Sequence, residues 1–119
     1  MYDDDEKSLD PGVIASLRDL GGDDPSIFNE LVELFLSDTP GRIKALEQAL
    51  DSNSPSELES AAHALKSSAG NLGAYVLSTL CKELEVCGRN KNLESAKSLV
   101  ARSREEFKKV EEELREELA

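Results

Sequence analysis

The sequence predicts an all-α fold: an antiparallel four-helix bundle with one or two additional short helical segments at its N-terminus. Three observations carry that expectation. Apolar residues recur at alternating spacings of about three and four through most of the chain. No stretch shows the apolar–polar alternation of a half-buried strand. Pro and Gly punctuate the periodic segments, with Asp or Ser placed before Pro as helix caps.

Residues 1–8 form a short acidic tail, expected to fray, and residues 9–119 form the bundle domain. A first helix starts at Asp10-Pro11, carries Val13, Ile14, Leu17 and Leu20 on its apolar face, and stops at Gly21-Gly22. Asp24-Pro25 opens the second helix, whose stripe is Ile27, Phe28, Leu31, Leu34 and Phe35. Pro40-Gly41 predicts a kink or break there, with helix resuming over residues 42–50. Ser54-Pro55 caps the third helix, which carries Leu58, Ala62, Leu65, Ala69 and Leu72 and ends at Gly73. A fourth helix covers residues 75–86 and ends near Gly88. The last runs over residues 91–118, with Leu93, Ala96, Val100, Phe107, Val110 and Leu114 in heptad rhythm and Ser103 in one core slot. At about 40 Å it outruns its neighbours, so its Glu-rich end is expected to project beyond the bundle. The charges of residues 102–117 read as a solvated helix face laced with i,i+4 pairs.

With 119 residues the chain is one domain with a real core, built without Trp from Leu, Ala, Val and Ile. A net charge of −11 argues against nucleic acid and anionic membranes as partners. No apolar run reaches the roughly 20 residues of a membrane span. Cys81 and Cys87 lie about 120° apart on one helix, which makes an intrahelical disulfide implausible. Cys81 lines up with Leu77, Leu80 and Leu84 as a small buried hydrophobe. With a single histidine in the chain no zinc quartet can form. Reduced thiols and the absence of an export signal point to the cytoplasm.

That single histidine, His63, is the most informative residue. On the third helix it points about 140° away from the apolar stripe. Most lone histidines are idle surface groups or satisfied core groups. A core role conflicts with the wheel position. The neighbours argue against idleness: Lys66 stands one turn on, and Ser67 and Gly70 keep the surface low on the same side. Gly70 costs about 1 kcal/mol against Ala within a helix, and close approach by another protein's backbone would use it.

The run Ala61-Ala62-His63-Ala64-Leu65-Lys66-Ser67-Ser68-Ala69-Gly70-Asn71-Leu72-Gly73-Ala74 closely resembles the signature of histidine-containing phosphotransfer (HPt) domains. Their pattern is His-x-Leu-Lys-Gly-Ser followed by Leu-Gly-Ala. The resemblance extends more weakly upstream, through Leu31-Val32-Glu33-Leu34-Phe35-Leu36 and the bend at Asp38-Thr39-Pro40-Gly41-Arg42-Ile43. It implies that His63 is the phosphoryl acceptor and donor, and that Lys66 stabilises the phosphoryl charge. Ser67 stands where the family usually has glycine; it is still small, with slightly less clearance over the imidazole.

The resemblance further implies a phosphoryl carrier rather than a self-sufficient enzyme. The partners are then a response-regulator receiver domain and a sensor histidine kinase, of hybrid or simple type, with the chain itself expected to be a monomer. No cofactor is expected on this chain; Mg²⁺ and the acceptor aspartate come with the receiver. Chemistry agrees, since a neutral imidazole is a competent nucleophile near pH 7 and phosphoryl transfer asks mainly for positioning and charge stabilisation. No GxxxxGK[ST] loop equips the chain as a kinase. Ser67, Gly70 and Lys82 are expected on the receiver-docking face. Lys82 is expected to project from the apolar side of the fourth helix, with Arg89 and Lys91 at that helix's end. An apolar docking patch is also expected, its members set by how the first helices pack. Two rivals stand beside this reading: a helical adaptor that binds partners without chemistry, and a metal- or cofactor-binding bundle enzyme. The second conflicts with a sole histidine that points outward. A phosphotransfer assay with an active receiver separates all three.

Overall fold

The structure, a computed structural model, describes residues 7–118. Its elements are α1 (Pro11–Leu20), α2 (Ser26–Asp51), α3 (Pro55–Asn71), α4 (Tyr75–Arg89) and α5 (Leu93–Glu117), with no strand among the described residues. Residues 52–54, 72–74 and 90–92 are the only links between α2, α3, α4 and α5. Turns so short force each helix to run back along its predecessor. α3 packs on α2 and, most extensively, on α4; α5 packs on α4 and returns to α2, closing the ring, and α1 lies against α2.

Local chemistry fixes the helix starts. The Asp10 side chain accepts from Gly12 N at 2.8 Å ahead of Pro11, and Ser54 accepts from Glu57 N ahead of Pro55. Asn92 accepts from Ser95 N at the start of α5. Gly73, at φ +75°, closes the α3–α4 turn, where Ala74 N donates to Ala69 O. The core is aliphatic: Val32, Leu46, Leu58, Leu65, Leu77, Leu84, Val110 and Leu114 are fully buried, and Phe35 meets Phe107 edge-on across α2 and α5.

Four expectations are corrected. α2 does not break at Pro40 but runs unbroken from Ser26 to Asp51. A proline inside a helix costs about 3 kcal/mol. Beyond it α2 buries Ile43, Leu46 and Ala49, and one aliphatic side chain of that size contributes about 1.5–3 kcal/mol, so packing carries the helix through. Gly88 does not end α4. It is buried inside it, and a Cβ there would stand 2.7 Å from Pro55 O and Glu59 N, so this is where the α3 and α4 backbones touch. Lys91, at φ +59°, makes the turn instead.

The end of α5 does not project. Leu114 is fully buried, Arg18 of α1 donates to Glu117, and Ser8 N donates to both Glu113 oxygens at 2.9 and 3.1 Å. The segment preceding α1 and α1 itself cover that end. The acidic tail therefore includes two anchored residues: Ser8 is buried, and the Lys7 carbonyl accepts from Tyr75 Oη. The rest of the tail, residues 1–6, lies outside the described residues. The α5 surface does carry i,i+3 and i,i+4 pairs, Lys108–Glu105 and Arg115–Glu111. Cys81 is buried, and burial pushes its thiol pKa up to about 12; Cys87 is half-buried, and both are free.

Candidate functional site around His63

α3 turns its buried stripe of Leu58, Ala62, Leu65 and Ala69 into the bundle, which leaves His63 on the outside with 62% of its side chain exposed. The ring is not free to turn. Its Nδ1 lies 2.8 Å from Glu85 Oε2, on the facing helix α4. Lys66 Nζ, one turn beyond the histidine, donates to the other oxygen of the same carboxylate, Oε1, at 2.6 Å. Arg89 Nη2 stands 3.7 Å from Oε2, and its Nε donates to Glu59 Oε2 at 3.2 Å. Glu85 thus faces one imidazole and the Lys66 ammonium in hydrogen-bond contact and the Arg89 guanidinium as a longer ion pair, with only 11% of its side chain exposed. Lys66, followed by His63, holds its carboxyl below the usual carboxylate range.

This geometry assigns the ring's proton. An ionised carboxylate only accepts, so Nδ1 must carry the hydrogen. The lone pair of the neutral ring is then on Nε2, on the far side from α4. Ser78 Oγ donates to Lys66 O at 3.1 Å and fastens the two helices where the site is built.

Of the predicted docking residues, Ser67 and Gly70 are exposed on α3 beside His63. A Cβ on Gly70 would meet nothing closer than Ser78 Oγ at 3.5 Å, so the fold itself does not require a glycine there. Lys82 is exposed and does not project from the apolar side of α4. It lies about 60° around the helix from Glu85, on the outer edge bordering the histidine face. Arg89 joins the network directly, and Lys91 is exposed in the turn after α4. On the other side of Ser67 a groove of about 240 Å³ opens between α2 and α3, lined by Leu31, Leu34, Asp38, Arg42, Ser68 and Asn71. Leu34 is 59% exposed there, and Leu20 and Ile27 are exposed at the start of the α1–α2 region. These exposed apolar side chains are the candidates for the apolar docking patch that the sequence left open.

Glu85 and Arg89 differ in how visible they were. Arg89 was singled out as a nearby charge; Glu85 was missed. Yet His63 and Glu85 lie roughly equidistant from the Gly73 turn, and an antiparallel helix pair sets such positions side by side. Glu85 also borders the apolar stripe of Leu77, Cys81 and Leu84, where a charge needs a partner.

An antiparallel helical bundle that presents one solvent-facing imidazole, steadied by a carboxylate and flanked by a lysine, is the build of a histidine phosphotransfer domain. The sequence matches the Hpt domain model over residues 30–119, and the chain belongs to that family, whose members carry phosphoryl groups in phosphorelays. In structure it is similar to histidine-containing phosphotransfer protein B (HptB) from Pseudomonas aeruginosa PAO1, with a TM-score of 0.84 and 32% identity over 92% of this chain and 93% of that one. No curated protein matches the sequence. Among the described residues no group of three His, Cys, Asp or Glu side chains is placed to hold a metal, and no helix is long and apolar enough to cross a membrane.

Proposed function

We propose that His63 accepts a phosphoryl group on Nε2 from the aspartyl phosphate of a receiver domain or from a histidine kinase, and returns it to a second receiver aspartate. The single observation that carries this is the Glu85 contact to Nδ1, which leaves a lone pair on the exposed ring nitrogen of a chain already placed in the Hpt family. Lys66 meets the incoming charge: a phosphoryl group brings about −1.5 to −2 charges, and the ammonium stands one helical turn away. The receiver contributes the aspartate and Mg²⁺. It docks over Ser67 and Gly70, with the Leu31–Leu34 side of the groove as its apolar contact and Lys82 and Arg89 as the basic rim facing an acidic pocket. The chain acts as a soluble carrier in the cytoplasm, as a monomer.

Incubation with a phosphorylated receiver domain tests this. The parent should take up an acid-labile, base-stable phosphoryl group, and His63→Gln should take up none while keeping its helical circular dichroism. Full labelling of His63→Gln would sink the assignment.

A further inference from the structure

We infer that the Glu85 carboxylate keeps the phosphorylated ring protonated on Nδ1, so that the phosphoryl group leaves readily when the next aspartate attacks; this rests on the phosphorelay reading above. Electron bookkeeping shows why that proton matters. On the way in, the Nε2 lone pair forms the N–P bond while the P–O bond of the aspartyl phosphate breaks, its electron pair passing to the aspartate carboxylate. Nδ1 keeps its hydrogen, and the ring is left as a positively charged phosphoimidazolium. On the way out, an aspartate oxygen attacks phosphorus, the N–P bond breaks, and the pair returns to Nε2, releasing a neutral imidazole. A ring that has meanwhile lost the Nδ1 proton would have to leave as an imidazolate anion, a far poorer leaving group. An unassisted imidazolium gives up its proton near about pH 6.5, within the range where a carrier works.

The surroundings decide whether the proton stays. Among the described residues Glu85 is the one anion in direct contact with Nδ1, at 2.8 Å, and its side chain is largely shielded from water. An opposite charge in such contact favours the charged ring. Two cations oppose it, Lys66 and Arg89, both resting on the same carboxylate. Glu59, one turn before His63 on α3, draws Arg89 away. On α4, Lys82 is exposed at the rim. From α2, Asp38 and Arg42, of opposite charge, are the charged side chains at the α3 seam, where they line the groove with Ser68 and Asn71. Once the phosphoryl group is in place, its oxygens attract Lys66. Glu85 is then left chiefly to the ring.

Glu85→Gln isolates the charge, because the amide oxygen still accepts from Nδ1. Parent and variant are both phosphorylated with phosphoramidate, which removes inward transfer from the measurement. Discharge to one Mg²⁺-loaded receiver domain is then timed across about pH 6 to 9. The variant should match the parent at the acid end and lose rate about one pH unit earlier, becoming about tenfold slower at the alkaline end. Superimposed profiles, or a uniform slowing at every pH, would overturn the inference. A nitrogen-15 NMR titration of the phosphorylated ring reads the same proton without a receiver. Loss of the Nδ1 proton at one common pH in both proteins would also overturn it. A parent that takes no phosphoryl group, or never discharges to a receiver, would bring down the phosphorelay reading itself.

Discussion

The α3–α4 seam and the α2–α5 seam are built from opposite materials. Between α2 and α5 the contact is bulky: Phe35 and Phe107 meet at 6.1 Å between ring centroids, and Arg104 pairs with Glu47 over the surface. α3 and α4 bring small buried residues, Ala62, Ala69, Cys81 and Gly88, and at Gly88 the two backbones touch. Polar bonds cross that seam, from Ser78 to the Lys66 carbonyl and from Arg89 to Glu59. Small residues let two helices approach closely enough for a short-range charge on one to fix a ring on the other. Aromatic packing gives more buried area but keeps the axes apart. One seam therefore supplies stability and the other supplies position.

The strongest test of that division is Phe107→Ala. Truncating a buried Phe costs about 3–5 kcal/mol. Urea denaturation should show a loss of that size, whereas phosphoryl uptake at a temperature where the variant is folded should keep the parent rate, because the ring packs between α2 and α5 while the His63 network joins α3 and α4. If uptake slows as well, the two seams are not independent.

A smaller loss of stability with a larger loss of function is expected from Gly88→Ala. The new methyl would stand 2.7 Å from backbone atoms of Pro55 and Glu59, so α4 has to move away from α3 and takes Glu85 with it. Overpacking of this kind costs about 1–3 kcal/mol. Uptake should slow along with the melt. Gly70→Ala is the control for stability alone, since its methyl meets only Ser78 Oγ at an ordinary 3.5 Å and the helix gains up to about 1 kcal/mol. A Gly88→Ala protein with the parent's uptake rate would show that the backbone contact does not position the site.

The same contrast explains what the sequence could convey. Periodicity located every helix and most of the core, because burial on one face imposes a repeat: Leu58, Leu65, Val100 and Leu114 were all assigned inward and all are buried. The outward placement of His63, Lys66 and their low neighbours was legible from the spacing of one helix, and their roles were suggested by the resemblance of that helix to the HPt signature. Glu85 was not, because its role exists only across two helices, and a carboxylate in a chain with 25 acidic residues carries no local mark. Gly88 and Pro40 were misread for a related reason. Both residue types interrupt isolated helices, and here tertiary packing outweighs that preference. The burial of the α5 end was hidden likewise, since it depends on Arg18 and Ser8 reaching residues about one hundred positions away.

The smallest effect on folding should come with Ser67→Arg, which sharpens the comparison from the side of function. Ser67 is exposed on α3, one turn beyond His63, and takes no part in the bundle interior. A substitution at such a position changes stability by no more than about 0.5 kcal/mol. The longer side chain would stand over the exposed edge of the ring, between the groove of Leu31 and Leu34 and the carboxylate-held imidazole. A receiver approaching over that face would be kept back, and in-line transfer tolerates little displacement of the reacting atoms. An added positive charge does not offset this, because an acidic receiver pocket drawn to the arginine would still be held away from Nε2. The variant should therefore melt with the parent yet take up phosphoryl groups at least about tenfold more slowly from one receiver domain. Thermal melts and timed uptake read both halves. Parent-like uptake would mean that partners do not come in over Ser67, even with His63 itself phosphorylated.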